Sequence, residues 1–298
     1  MRLKLSVILV VCILTAGCKN ELPDRPTGDY VDYSEPNPNV VGKLADIDFS
    51  NWKVTLPIPR ADGKPLEISP PAISNYATNK VLQPFMYNDS SDGSIVFYTY
   101  PGSTTTNTKY SRTELREQMV PGSNSTNWTF AQGGKMRGTL SVPEMSKDSD
   151  GDFHRTIIMQ IHGRLTDGQR NLIGQSDNNA PPVLKIYWQD NKVYVRVKEL
   201  KDTTDTDREI LETDAWEDDN GRFFARTVGT DTFTLEVVAS NGRLEVSLDD
   251  TETFVYEGVH MRRWGIFENY FKAGNYLGTN DAGAFARVKY YSLSLIHI

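Results

Sequence analysis

The sequence predicts an all-β fold, a jelly roll or sandwich of two antiparallel sheets. Short β-branched and aromatic runs recur from about Leu44 onward, and Gly, Asn and Asp turn signals separate them. Helical periodicity never persists beyond a turn or two. Many short strands in one body favour two packed sheets, with a concave face that holds a ligand cleft. Side chains at i and i+2 share a strand face, so site residues are expected as polar pairs opposite an apolar parity.

Residues 1–17 stand apart from this body. Arg2 and Lys4 precede "LSVILVVCILTAG", an apolar stretch too short to span a bilayer, as in an export signal. Leu14-Thr15-Ala16-Gly17-Cys18 resembles a bacterial lipobox, which makes Cys18 the expected lipidation site of an exported lipoprotein, at the outer membrane or cell surface. Residues 18–43 are rich in Pro, Asp, Glu and Asn and read as a tether. Residues 44–298 show no repeat or composition shift and read as a single domain.

Both cysteines, Cys12 and Cys18, precede that domain, so disulfide stapling and thiol catalysis within it are excluded. The net charge is -7; loss of Arg2 and Lys4 with residues 1–17 makes it -7 - 2 = -9. So acidic a chain is a poor non-specific binder of nucleic acid, and a polyanionic substrate needs a local basic cleft.

Within the body, "SIVFYTY" is the first clear strand. "RTIIMQIHG" alternates, with Ile157, Met159 and Ile161 expected on the core face. "VLKIYWQDNKVYVRVKEL" reads as a hairpin about Asp190-Asn191. "FTLEVVASNGRLEVSLDD" reads as a second about Asn241-Gly242, with a type I′ turn signal. "ARVKYYSLSL" is the last strand, and "PPAISNYATN" and "TDAWEDD" are the places for a short helix.

Three stretches carry chemistry. In "SRTELRE", Arg112, Glu114 and Arg116 share a face, and Glu114 is expected to hold both guanidiniums. In "QIH", Gln160 and His162 lie opposite the apolar parity; His154, His260 and His297 lack such a pairing. In "YFKAGNYLG", Tyr270, Lys272, Gly274 and Tyr276 share a face, and Gly274 is expected to let a ligand approach the backbone. "DSDGD" at 148–152 lacks a glutamate at the twelfth loop position, where Met159 stands, and reads as a polar turn rather than a calcium site. Paired strand-borne carboxylates for glycoside hydrolysis are not evident.

Arginines, a lysine and an amide suit neutralisation of a sugar carboxylate, while a histidine and a tyrosine suit proton removal and donation. That set fits β-elimination on a polyuronate. The carbon acid is weak; a cation at about 4 Å with an effective dielectric near 20 contributes roughly 4 kcal/mol, or about 3 pKa units. Hydrogen bonds must supply much of the rest.

"SRTELRE", "QIH" and "YFKAGNY", in this order, resemble the signature blocks of the alginate lyases of polysaccharide lyase family 7. The resemblance spans the body from about residue 45. It implies a β-jelly roll that depolymerises alginate without a cofactor or metal. It implies that Arg112 and Gln160 neutralise the carboxylate, that His162 is the base and that Tyr276 is the acid, or both acid and base according to the sugar's stereochemistry. Glu114, Arg116, Tyr270, Lys272 and Asn275 would bind and orient substrate. The expected partner is alginate, with membrane contact through the lipid anchor only, and a monomer is expected. Ile161 between Gln160 and His162 accompanies action on guluronate-containing alginate in this family. An alginate-binding lectin on the same sandwich, or a lyase for another polyuronate, remains open at this stage. The loops at 166–182 and 201–222 are long enough to close one end of a cleft.

Overall fold

Alternation in the hairpin strands shows how the sandwich forms. Along Phe233–Ser240, Phe233, Leu235, Val237 and Ala239 point inward while the intervening residues stay half-exposed; Arg243–Leu248 repeats the pattern in the opposite phase. Each strand thus presents one apolar face, and two such sheets bury those faces against each other. The computed structural model describes residues 44–297. The expected signal, Cys18 and the expected tether lie outside the described residues, which fall in one unit of the chain, Pro38–Ile298.

One sheet has eight strands. Its order is Glu252–Tyr256, Arg243–Leu248, Phe233–Ser240, Gly134–Met145, Ala286–Ile296, Ser94–Thr99 and Met86–Asp89, and Asp46–Ile47 adds in parallel to Ala286–Ile296. The other has ten strands. It runs Trp216–Asp218, Lys192–Leu200, Asn179–Gln189, Thr156–Arg164, Glu268–Leu277, Arg112–Glu117, Trp52–Pro59 and Pro65–Ile68. Arg222–Thr227 pairs with Lys192–Leu200, and Trp128–Thr129 with Glu268–Leu277. The predicted all-β jelly-roll sandwich is the observed fold. Phe97, Trp128, Phe130, Met136, Leu235, Ile186 and Phe271 fill the space between the sheets.

Both hairpins form where expected, but their turns differ. Asp190 and Asn191 have φ of 51° and 62°, the left-handed pair that a type I′ turn requires. At Asn241-Gly242 only Gly242 has positive φ, so the expected type I′ turn is absent there. The expected short helices are single 3₁₀ turns at Ala72–Asn75 and Thr213–Ala215. Two α-helices were not anticipated, Asp167–Ile173 and Val259–Trp264. The first is held by a capping box in which Thr166 and Gln169 exchange hydrogen bonds of 3.1 Å and 2.8 Å. Among the described residues no helix is long and apolar enough to cross a membrane. The 148–152 stretch is a polar turn in which the Asp148 carboxylate accepts from the Asp150 and Asp152 amides, both at 3.0 Å.

The parity of Thr156–Arg164 breaks at one point. The core takes Ile158, Met159 and Ile161 and leaves out Ile157, which was expected inside. The cause is a bulge: Met159 pairs with Ala273 and Ile157 with Tyr276, so Gly274 and Asn275 together oppose the single residue Ile158. Ile157 thereby joins the polar face, beside Tyr276 and Tyr187. The opposite phase survives beyond the bulge, with Ile161 in the core and Gln160 and His162 facing out.

Candidate active site

Register brings the three chemistry-bearing stretches together. Glu268–Leu277 lies between the other two strands, and directly paired residues share a face. Tyr270 stands opposite His162 and Lys272 opposite Gln160 on one side. On the other side Lys272 stands opposite Arg116 and Tyr276 opposite Arg112. Three separate segments thus converge on the outer face of the larger sheet. Here the outer face is itself nearly buried, because its polar side chains pack on one another. Gln160, Glu114, Arg116 and Lys272 are all buried. Arg112, Arg116, Tyr270 and Lys272 line an open cavity of about 800 Å³.

Glu114 is the hub. Its Oε1 accepts from Gln160 Nε2 at 2.5 Å, and its Oε2 is paired with Lys272 Nζ and lies 3.6 Å from Arg112 Nε. The carboxylate is only 2% exposed, like Gln160, and does not line the cavity. Nor does it hold both arginines. Arg116 donates instead to the Glu117 carbonyl (2.7 Å), the Asn124 carbonyl (3.1 Å) and Asn127 Oδ1 (2.8 Å), and stacks on the Tyr270 ring at 4.1 Å. Arg112 touches Glu114 only through Nε, leaving its terminal nitrogens without a protein acceptor among the described residues.

The His162 ring lies flat against Tyr270, with centroids 5.1 Å apart and planes 12° from parallel. Its Nδ1 sits 2.9 Å from the Gly163 carbonyl oxygen, which fixes the proton on Nδ1 and leaves Nε2 as an acceptor. Burial pushes the imidazole down to about 3, and Lys272, Arg112 and Arg116 add to this effect. His162 is therefore neutral at working pH, as a base must be. Burial pulls Lys272 down to about 8, with the Glu114 carboxylate holding it up. Burial raises the Tyr276 phenol above its ordinary value, against the pull of Arg112, so it keeps its proton at neutral pH. Such a site can neutralise an acid, take one proton and give another.

Two expectations fail here. Asn275 was placed among the substrate-binding residues, but it has the inward parity of Phe271, Ala273 and Leu277 and is fully buried. Its Nδ2 donates to the Phe97 and Ala286 carbonyls (2.9 Å and 2.8 Å), and its Oδ1 accepts from the Thr156 hydroxyl at 2.7 Å. It pins the two sheets together. Gly274 does not serve ligand approach either. With φ at 135°, a Cβ would lie 2.7 Å from the Thr113 carbonyl oxygen, so the glycine answers to the neighbouring strand. Asn275→Ala is expected to cost about 3 kcal/mol, since buried carbonyls lose their donors. Urea unfolding checks this, and a loss below about 1 kcal/mol together with a raised KM would restore the ligand role.

Several groove residues escaped the sequence reading. Lys53 and Thr55 flank Arg116 and Glu114 in register, and Lys53 is paired with Glu67 at 2.7 Å. The alternation in "WKVTLPIP" was the available signal. Asn107 and Asp177, from loops distant in sequence, meet at 2.8 Å beside the cavity. Nothing local in the sequence pairs them.

Fold and site together place the protein among the sandwich-fold polysaccharide lyases. A family model described as alginate lyase matches residues 47–297, and the chain belongs to that family, the alginate lyases of polysaccharide lyase family 7. The structure is similar to the crystal structure of alginate lyase A1-II′, a member of that family (28% identity, TM-score 0.66, covering 84% of this chain and 96% of that one). It is similar as well to a histidine and tyrosine double variant of A1-II′ in complex with substrate (GGMG), with 28% identity, TM-score 0.65, and 84% and 94% of the two chains covered. The alginate lyase PA1167 from Pseudomonas aeruginosa shares the fold at 22% identity, with TM-score 0.62 and 85% and 100% covered. Among curated protein sequences none matches.

Proposed function

We propose that this lyase cleaves alginate by β-elimination, with His162 as base, Tyr276 as acid, and Arg112 and Gln160 on the substrate carboxylate. The observation that carries this reading is the register that sets Arg112 against Tyr276, and Lys272 against Gln160, on one groove face. Arg112 offers its free terminal nitrogens, and Gln160 the amide hydrogen that Glu114 does not take. Together they draw charge from the carboxylate and acidify the carbon beside it. His162 Nε2 takes that carbon's proton, and the released electron pair forms the ring double bond. The glycosidic oxygen then leaves and takes its proton from the Tyr276 hydroxyl. The substrate-bound variant of A1-II′ altered at a histidine and a tyrosine supports these two residue types at the reacting centre.

A preference for guluronate-containing blocks is part of the proposal. Ile161 is fully buried in the core, so it acts only by setting the height of the strand that carries Gln160 and His162. One methylene is worth about 0.8 kcal/mol of burial, small beside catalysis but large enough to bias a geometry that differs between sugar epimers. Initial rates on polyguluronate, polymannuronate and mixed blocks, read by ultraviolet absorbance of the unsaturated product, are expected to be lowest on polymannuronate. No absorbance rise on any block would refute the elimination, whereas a polymannuronate preference would refute only the block assignment.

A further inference from the structure

The strand that carries Arg112 and Glu114 holds a second buried carboxylate on its other face. Glu117 follows Arg116, so it points between the sheets rather than into the groove, and it is only 2% exposed. A carboxylate so buried needs partners, and three donors converge on it. Oε2 accepts from Trp128 Nε1 at 3.0 Å and from the Phe271 amide at 2.9 Å, and Oε1 is paired with His297 Nε2. The Phe271 contact answers to a gap in the sheet. Along that edge of Glu268–Leu277, pairing with Arg112–Glu117 stops at Lys272, and pairing with Trp128–Thr129 begins at Asn269. Phe271 falls between the two partners, and the Glu117 carboxylate meets its amide there. Tyr270 and Lys272, on either side of Phe271, face the groove, and the Tyr270 ring lies against both His162 and Arg116.

We propose that Glu117 and His297 are a positioning pair for the reacting centre. His297 seats the Glu117 carboxylate, the carboxylate holds the Phe271 amide, and the held backbone fixes Tyr270 against the His162 ring. This rests on His162 acting as the base, as read above. His297 lies just past Ala286–Ile296, so the eight-stranded sheet reaches across to the strand that carries Tyr270. Its ring sits 5.8 Å from Trp128 and 6.3 Å from Phe271. The Glu117 hydrogen bond lifts the His297 imidazole above its ordinary value, against burial, which favours the charged donor that a buried carboxylate wants. Neither residue meets substrate. The pair borders a cavity of about 400 Å³, walled by Asn51, Trp52, Met119 and Leu293, that shares no lining residue with the groove. Its effect on catalysis can therefore travel only through Phe271 and its two neighbours. Small displacements of a reacting group are costly, so even a slight shift of Tyr270 bears on turnover.

The test reads His162 directly. Stacked rings shift each other's proton resonances, so the His162 ring protons report where Tyr270 lies. In His297→Ala those resonances are expected to move, and kcat on alginate to fall about tenfold with KM within about twofold. His297→Gln, which keeps a donor for Glu117, is expected to hold most of kcat. With Tyr270 already changed to Leu, His297→Ala is expected to cost less than about twofold, since the path to His162 is cut. Unmoved His162 resonances overturn the proposal, and so does an equal fall in kcat with and without Tyr270. If His297→Ala melts early, His297→Phe keeps the packing on Trp128 and Phe271 but offers no donor, and is read in the same way. A wild-type enzyme that forms no unsaturated product would count against the elimination instead, and the His162 resonances would still decide for or against the pair.

Discussion

Tyr276→Phe is expected to lower turnover of alginate by about 10³-fold while leaving KM within about twofold, because only a transferable proton is lost. The ring itself stays. Arg112 and Lys272 lie 5.6 Å and 5.9 Å from its centroid, and phenylalanine presents the same face to both. Burial raises the Tyr276 phenol, so the wild-type donor is fully protonated at neutral pH and remains so well into the alkaline range. No other phenol replaces it easily. Tyr270 is clasped between the Arg116 guanidinium and the His162 ring, and Tyr187 lies beyond Ile157. The measurement is kcat and KM on polymer with protein free of wild-type contamination. Retention of more than about a tenth of turnover, below the range that a general acid contributes, would move the acid to another group.

How much of this was legible in the sequence depended on whether a signal was local. Alternation in "FTLEVVAS" and "RLEVSL" reports burial residue by residue, so both strands and their hairpin were readable. The same rule found Arg112, Gln160, His162, Lys272 and Tyr276, since each sits on a strand of regular phase up to the bulge. It failed where two strands bulge against each other. Tyr276 keeps the expected face, yet Ile157 is turned out of the core because Gly274 and Asn275 oppose one residue. Asn275 faces inward by the same alternation that puts Phe271 and Ala273 in the core, which its assignment to the substrate had passed over. A bulge is a property of the pair, and a single strand's pattern does not show it. Glu114 was placed on the right face but given the wrong partners. Which cations meet it is decided by register with Glu268–Leu277, a strand more than 150 residues away. The helix Asp167–Ile173 was missed despite its Thr166–Gln169 box, because Gly168 in its first turn weakens the helical pattern.

Glu114→Gln tests the hub directly and is expected to cost about 10²-fold in kcat/KM at pH 8, with a change in the shape of the pH profile. The amide keeps an oxygen that can accept from Gln160 Nε2, now 2.5 Å from Glu114 Oε1, so the main loss is charge. Lys272 feels that loss most. Burial already holds it down to about 8, and the Glu114 carboxylate is the first influence opposing burial. The sign follows. The charged lysine is the working form, and it is lost as pH rises through its pKa, so wild-type kcat/KM is expected to fall above about pH 8. Without the carboxylate the lysine titrates lower, and the alkaline limb moves toward neutral pH by at least about one unit, each unit being worth about 1.4 kcal/mol. Tyr276 does not produce this limb, since its phenol is raised rather than lowered. Arg112 loses its one ion-pair partner among the described residues in the same change, which adds a pH-independent fall through a less ordered guanidinium. Profiles of kcat/KM between acid and alkaline pH for the two proteins separate the contributions. An alkaline limb at the same pH in both would show that Glu114 does not set the charge of Lys272, leaving it only a steric part in the site.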